Sequence, residues 1–213
     1  MKYKIRSDGR IVALISGVWG DVGTIGGYIE SEKNLSHLGD CWVSDNACVS
    51  DNACVSDNAC VSDNAQVSDN AQVYGNSKVS GDAWVYGNTK VSGNAQISGD
   101  TCVSDNACVS DNAWVFGDAE VFSHARVSGN AQVSGNAEVS GNAQVSGNAL
   151  VYGHAQVFDD ARVCDNTKVY GNTFVYENAF VFNNARVSGN MQITQSVSSP
   201  IDITELTDEL VVL

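Results

Sequence analysis

From Val43 an aliphatic residue stands at every sixth position as far as Ile193, without one insertion or deletion. Twenty-six successive hexads share this anchor, which is Val everywhere except Ile97 and Ile193. Two residues before it stands a small residue, Ala in most hexads and Cys41, Ser77, Thr89, Thr101, Thr167 or Thr173 in others. The residue after the anchor is usually followed by Gly or Asp and then by Asn, as in SDNACVSDNACVSDNACV at 44–61. So short and exact a period excludes an ordinary globular domain, and the chain has to be read through its repeat.

Within a hexad the small residue and the anchor are two apart, so both point to one side of an extended strand while the residues flanking the anchor point to the other. Gly or Asp followed by Asn marks a corner, because these residues tolerate unusual backbone dihedrals and Asx side chains bond nearby backbone. One such unit cannot bury its Val alone, but stacked coils can, and the pattern predicts a solenoid. Three hexads per coil give a triangular prism. Echoes at the three-hexad spacing agree: Asp82, Asp100 and Asp118 at the Asn position, Tyr152 with Tyr170, Phe158 with Tyr176, and Arg126 with Arg162 at twice the interval. The hexads then make about 8.7 coils, and at a strand spacing of ~4.8 Å the rod is roughly 40 Å long.

The repeat V-x-G-N-A-x resembles the hexapeptide repeat of left-handed parallel β-helices. The preceding residues resemble the N-terminal cap of hexapeptide-repeat proteins common in phages and prophages, through Gly26-Gly27-Tyr28-Ile29-Glu30, Asn34-Leu35-Ser36 and Gly39-Asp40-Cys41-Trp42-Val43. The resemblance implies an all-β fold, a single-stranded left-handed parallel β-helix. The hand rests on the resemblance alone, since parallel crossovers in general prefer the right hand. The chain departs from the broader family in keeping Ser, Tyr or Phe after the aliphatic residue.

A stack of coils leaves an open edge at each end, which must be covered. Residues 1–38 are expected to form a β cap over the first coil, with Ile11, Val12, Leu14, Ile15, Val18 and Trp19 as its apolar residues. Residues 39–193 form the β-helix, closed by the large Met191 at a small-residue position. Residues 194–213 are an acidic tail whose Leu206, Leu210, Val211 and Val212 are expected to pack partly over the last coil.

The net charge of −14 argues against nucleic acid or an anionic membrane as partner. No stretch reaches the length of a membrane span, and the basic start lacks the apolar run of a signal peptide. The expected setting is the cytoplasm of a bacterial host or a virion. The expected partner is a protein or a second copy of the chain, as trimer or dimer.

Many relatives implied by the resemblance are acyltransferases, which use a histidine base and a loop extruded between coils. No loop interrupts residues 43–193, and His124 and His154 are five hexads apart, not a multiple of three, hence on different corners. Three scattered histidines, His37 included, do not supply the metal triad of carbonic anhydrase relatives. Asp82, Asp100 and Asp118 would stack on one corner at ~4.8 Å, where carboxylates repel. Solvation relieves this, and a cation is the weaker alternative. The outward aromatics Tyr170, Phe174, Tyr176, Phe180 and Phe182 fall within one coil, as a binding belt or as ladders between strands. No catalytic, cofactor or metal residue is assigned. The expected function is a non-catalytic structural or protein-binding β-helix of phage or prophage type. The alternatives are an acyltransferase-like enzyme with an intersubunit site, and an acidic mimic, suggested by Asp45, Asp51, Asp57, Asp63 and Asp69, that binds a nucleic-acid-binding protein.

Cys48, Cys54 and Cys60 occupy the same position in successive hexads and so face three different sides. The same-side pairs, Cys48 with Cys102 and Cys54 with Cys108, lie three coils or ~14 Å apart, beyond the Cα separation of about 4.4–6.8 Å that a disulfide needs. Thiol titration under denaturing, non-reducing conditions should find seven free cysteines per chain. A bridged pair within one chain would contradict three hexads per coil.

Overall fold

The computed structural model describes residues 1–198 and the strand Asp202–Ile203. The chain is an all-β parallel solenoid of about 8.7 coils, with one two-residue strand per hexad in almost every case, from Trp42–Val43 to Gln192–Ile193. Its strands stack into three sheets, which are the three faces of a prism. Face I begins at Cys48–Val49, face II at Cys54–Val55 and face III at Trp42–Val43, and each is continued by the strand three hexads on. Val61 lies between Val43 and Val79 in parallel register, as the three-hexad echoes predict.

Burial follows the period of two. Every anchor from Val43 to Val187 is fully buried, as is every Ala two residues before one. Each buried Val side chain stabilises by roughly 1.5–3 kcal/mol relative to leaving it exposed, and the interior is continuous from coil to coil. Where Ser or Thr replaces Ala, three hydroxyls are satisfied locally, Ser77 donating to the Tyr74 carbonyl at 2.8 Å, Thr89 to that of Tyr86 at 2.6 Å and Thr173 to that of Tyr170 at 2.7 Å, whereas Thr101 Oγ1 is buried without a partner. The ladder runs from the strands on through the corners, with Cys48 N–H donating to Ala65 O at 2.9 Å, Ser50 to Val67 at 3.0 Å and Asn52 to Asp69 at 2.8 Å.

The corner residue before Asn takes a left-handed conformation, which Gly reaches without strain and Asp reaches at modest cost. Asp51 has φ 55° and Gly75 φ 74°. The Asn side chains then bond along the edge between faces II and III. Asn58, Asn76, Asn94, Asn112, Asn130, Asn148, Asn166 and Asn184 form one uninterrupted ladder, each Nδ2 donating to the next Oδ1 at 2.9–3.2 Å.

The cap is an antiparallel extension of face I. Strands β1 (Tyr3–Ile5), β2 (Arg10–Ala13) and β3 (Ile25–Ile29) pair in order, and β3 then runs parallel to Cys48–Val49. Ile11, Ala13 and Ile29 face the first coil with Tyr3 and Leu35. The expected covering by Leu14, Ile15 and Val18 is corrected: all three are exposed, Val18 at 73%. The strand stops at Ala13, and a loop with glycines at 17, 20 and 23 carries them away from the interior. Gly26 and Gly27 let β3 approach the first coil closely, since a Cβ on Gly27 would meet Ala47 O at 2.6 Å. At the other end Met191 is buried at its small-residue position. Leu206, Leu210, Val211 and Val212 lie outside the described residues.

Asn34, fully buried, gives the cap its hydrogen-bonding end: its Nδ2 donates to Asp51 O at 3.1 Å and Ala53 O at 2.9 Å. Asn34→Ala leaves those carbonyls without that donor, at about 1–3 kcal/mol. Hydrogen exchange should quicken at Asn46–Ala53 while coils beyond residue 100 keep their protection, because a solenoid loses stability coil by coil. Tyr3 supplies a pH test. Burial, with Glu32 beside it, pushes its phenol up from 10.0 to about 12. Being raised, it contributes full stability below pH 10 and loses it as pH rises toward 12, by about 2–3 kcal/mol in all. Tyr3→Phe should flatten that alkaline limb in denaturant titrations from pH 9 to 12.

Candidate functional site

With the interior filled, anything that acts on another molecule must stand on the three faces, the three edges or the cap. Each hexad presents two outward residues per strand, those before and after the anchor, and the flat sheet fixes them at a constant spacing along the rod. The aromatic residues use these positions. Tyr170 projects from face III, Phe174 and Tyr176 from face I, and Phe180 and Phe182 from face II, all half-buried. Tyr170 stacks on Tyr152 with centroids 4.9 Å apart, and Tyr176 on Phe158 at 5.1 Å. Phe180 stacks on Phe182 within its own hexad at 4.5 Å. Tyr176 Oη also bonds Gln192 Oε1 at 3.1 Å. The rings thus combine laddering with partial exposure. Phe174, lying in register between Gln156 and Gln192, shares in none of these stacks.

Asp82, Asp100 and Asp118 fall one per coil on the exposed edge between faces III and I, where they interrupt the Asn ladder. Asp82 accepts from Asn64 Nδ2 at 2.8 Å. No group of three His, Cys, Asp or Glu among the described residues is arranged to hold a metal ion. His154 occupies the same edge and His124 the edge between faces I and II, both exposed, so the two histidines are not brought together. Cys48 and Cys102 share face I, Cys54 and Cys108 face II, and Cys60 lies on face III; all seven cysteines are unbridged. Burial pushes the Cys48, Cys54, Cys60 and Cys164 thiols up, the opposite of the shift that activates a nucleophilic thiol.

The acidic corners have an architectural role. Asp57 Oδ2 accepts the Gly75 N–H at 3.0 Å, Asp63 that of Gly81 and Asp69 that of Gly87 at the same distance. Asp105, Asp111, Asp159 and Asp165 do the same for the corner one coil further on. Each carboxylate satisfies an amide that the backbone ladder leaves free.

Sequence reasoning missed a cluster under the cap. Lys2 is 2% exposed, and its Nζ donates to Cys41 O at 2.8 Å and to Gly39 O at 3.3 Å. It touches Cys41 Sγ at 3.1 Å and lies 5.2 Å from the Trp19 ring centroid. Trp19 stacks on Trp42 at 5.0 Å, and Tyr3 on His37 at 4.3 Å. His37 Nδ1 accepts the Lys2 N–H at 3.3 Å, and its Nε2 is buried without a partner. A lysine outside any repeat gives no periodic signal for such burial. One hollow on the surface is lined by Trp19, Trp42 and Ile25 beside this cluster, and another by Asn148, Asn166 and Asn184. Both are open to solvent.

A comparison with curated proteins gives no match. A family model described as the YdcK beta solenoid repeat matches residues 131–144 and 143–154. The matched stretch has its Val133, Val139, Val145 and Val151 inside, in the same register as the other coils. Fold and match together identify the chain as a protein built on β-helix repeats.

Proposed function

We propose that the chain is a non-catalytic structural or protein-binding β-helix, a rigid rod that presents side chains on flat outer faces to another protein. The observation that carries the reading is the unbroken register of the strands from Trp42 to Ile193. Over that span the solenoid extrudes no loop to enclose a substrate, and its interior is filled by Val and Ala. The belt of Tyr170, Phe174, Tyr176, Phe180 and Phe182 is the contact surface, because the repeat there places large apolar rings outside, where its own interior does not require them. The resemblance of the cap supports an origin in phages or prophages, inside a bacterial cell or on a virion.

The belt is tested by Phe174→Ser with Phe180→Ser. Each ring desolvated in a contact contributes on the order of 1–3 kcal/mol, so the double variant should weaken self-association or capture of a partner at least tenfold. The far-ultraviolet β signal and the melting temperature should stay close to those of the parent. A sharp fall in melting temperature with association unchanged would make the rings strand ladders and nothing more. Acyl transfer is tested separately by titration with acetyl-CoA, for which no saturable binding is expected. Saturable binding lost in His124→Ala or His154→Ala would overturn the reading.

A further inference from the structure

The charges of the solenoid are segregated by position. Its six cations are Lys78, Lys168 and Arg186 on face III and Lys90, Arg126 and Arg162 on face II, with none on face I. The two strand glutamates, Glu120 and Glu138, are both on face I. They stand opposite each other in register on adjacent strands, where like charges destabilise. Among the described residues the one ion pair joins Arg6 to Asp8 in the cap. An acidic rod thus carries unpaired cations on two faces and an uncompensated pair of glutamates on the third.

We propose that the occupant of these faces is a second copy of this chain, face I of one rod lying against face II of another with their axes parallel. Residues one hexad apart differ in height by a third of a coil, so each face II residue stands nearest in height to the face I strand just before it. At matched height Arg126 of one copy falls between Glu120 and Glu138 of its neighbour. One coil pair lower, Lys90 comes level with Trp84, which is 54% exposed and offers a ring to a cation. Near the end of the rod Phe174 comes level with Phe180. Three levels along one interface therefore match charge to opposite charge, cation to ring and ring to ring.

Other pairings leave the glutamates without an opposite charge. Face II on face III brings Arg162 to Lys168, and face I on itself sets glutamates against glutamates. Face I on face III with parallel axes brings Lys78 to Trp84 and Lys168 to Phe174, but it brings the glutamates only to Trp114 and Gln132. The contact is heterologous, each copy using one face to give and another to receive, so it closes into a ring or runs on as a filament. It rests on the protein-binding reading of the belt only at the Phe174–Phe180 level.

The test uses charge reversal away from the belt. The full chain should sediment above its 22.5 kDa monomer mass at micromolar concentration in low salt, and salt should shift it toward monomer. Arg126→Glu with Arg162→Glu, and separately Glu120→Arg with Glu138→Arg, should each give folded monomers. Mixing the two variants should restore association, because each then meets an opposite charge on both faces, and a variant that merely misfolds cannot be rescued in this way. A monomeric parent, variants that associate like the parent, or a mixture that stays monomeric would each overturn the proposal. None of these results bears on whether Phe174→Ser with Phe180→Ser loses a different protein partner, so the two readings fail separately.

Discussion

One residue in every six takes a left-handed backbone conformation, and no coil could turn its corner without it. In the hexads the aspartates at this position have φ between 55° and 62°, whereas the glycines range from 65° to 91°. The difference has a steric origin. A Cβ added to Gly75 would meet the Gly93 carbonyl oxygen of the next coil at 2.8 Å, so a residue with a side chain must turn to a smaller φ. What Asp loses in backbone ease it recovers through its carboxylate, which accepts the corner amide one coil on, as Asp57 does from Gly75. The acidity of the protein follows in large part from this exchange. Gly and Asp fill most corners, with Ser123, Glu177 and Asn183 at the rest, and Asp brings a negative charge to the edge whether or not a partner calls for one.

The fold was legible because its determinants repeat. Val at one position, a small residue two before it and Gly or Asp at the corner fix strand, interior and turn in most hexads, with Ser123, Glu177 and Asn183 as the other corner residues, and the three-hexad echoes of Tyr152 with Tyr170 and Phe158 with Tyr176 reappear as ring stacks. The cap was legible only in outline. Leu14, Ile15 and Val18 are apolar yet exposed, while Lys2 is charged yet buried, and both outcomes are set by where β2 ends and by carbonyls at Gly39 and Cys41 that only the folded chain brings together. The hand of the coil has no signature in the periodicity at all, since Val and Ala would fill a coil of either hand. The aromatic residues were legible as outward, but not in their pairing: Phe180 stacks on Phe182 in its own hexad, a contact that a search for echoes between coils does not find.

Edges and faces divide the work of the surface. Edge residues serve the coil, as corner hinges, amide acceptors and Asn ladders, and have little freedom to vary. Residues flanking the anchor on the outside serve no such purpose, so Gln, Cys, Ser, Lys, Glu and aromatic side chains all occur there. Charge on an edge therefore says little about partners, while charge on a face is informative. By that criterion Asp82, Asp100 and Asp118 belong to the architecture, and Glu120, Glu138 and Arg126 are residues the coil itself does not require.

The cap shows how closely an end must imitate the coil it replaces. Glu30 Oε2 accepts the Asp51 N–H at 2.6 Å, the part played elsewhere by an Asp one coil earlier. Asn34 Nδ2 supplies to Asp51 and Ala53 the donors that a preceding coil would have supplied from its backbone. Arg10 reaches Asp45 O at 3.0 Å and Asn46 Oδ1 at 3.2 Å, which begins the edge ladder where no earlier Asn exists. Tyr28 holds that guanidinium against its ring at 4.5 Å. The residues of Gly26-Gly27-Tyr28-Ile29-Glu30 and Asn34-Leu35-Ser36 are thus bound to one another through the first coil. Glycines allow the approach, and the polar residues satisfy what the approach uncovers. A parallel stack can begin only where every upward-facing group of its first turn has found a substitute partner, and this cap provides one for each of those named here.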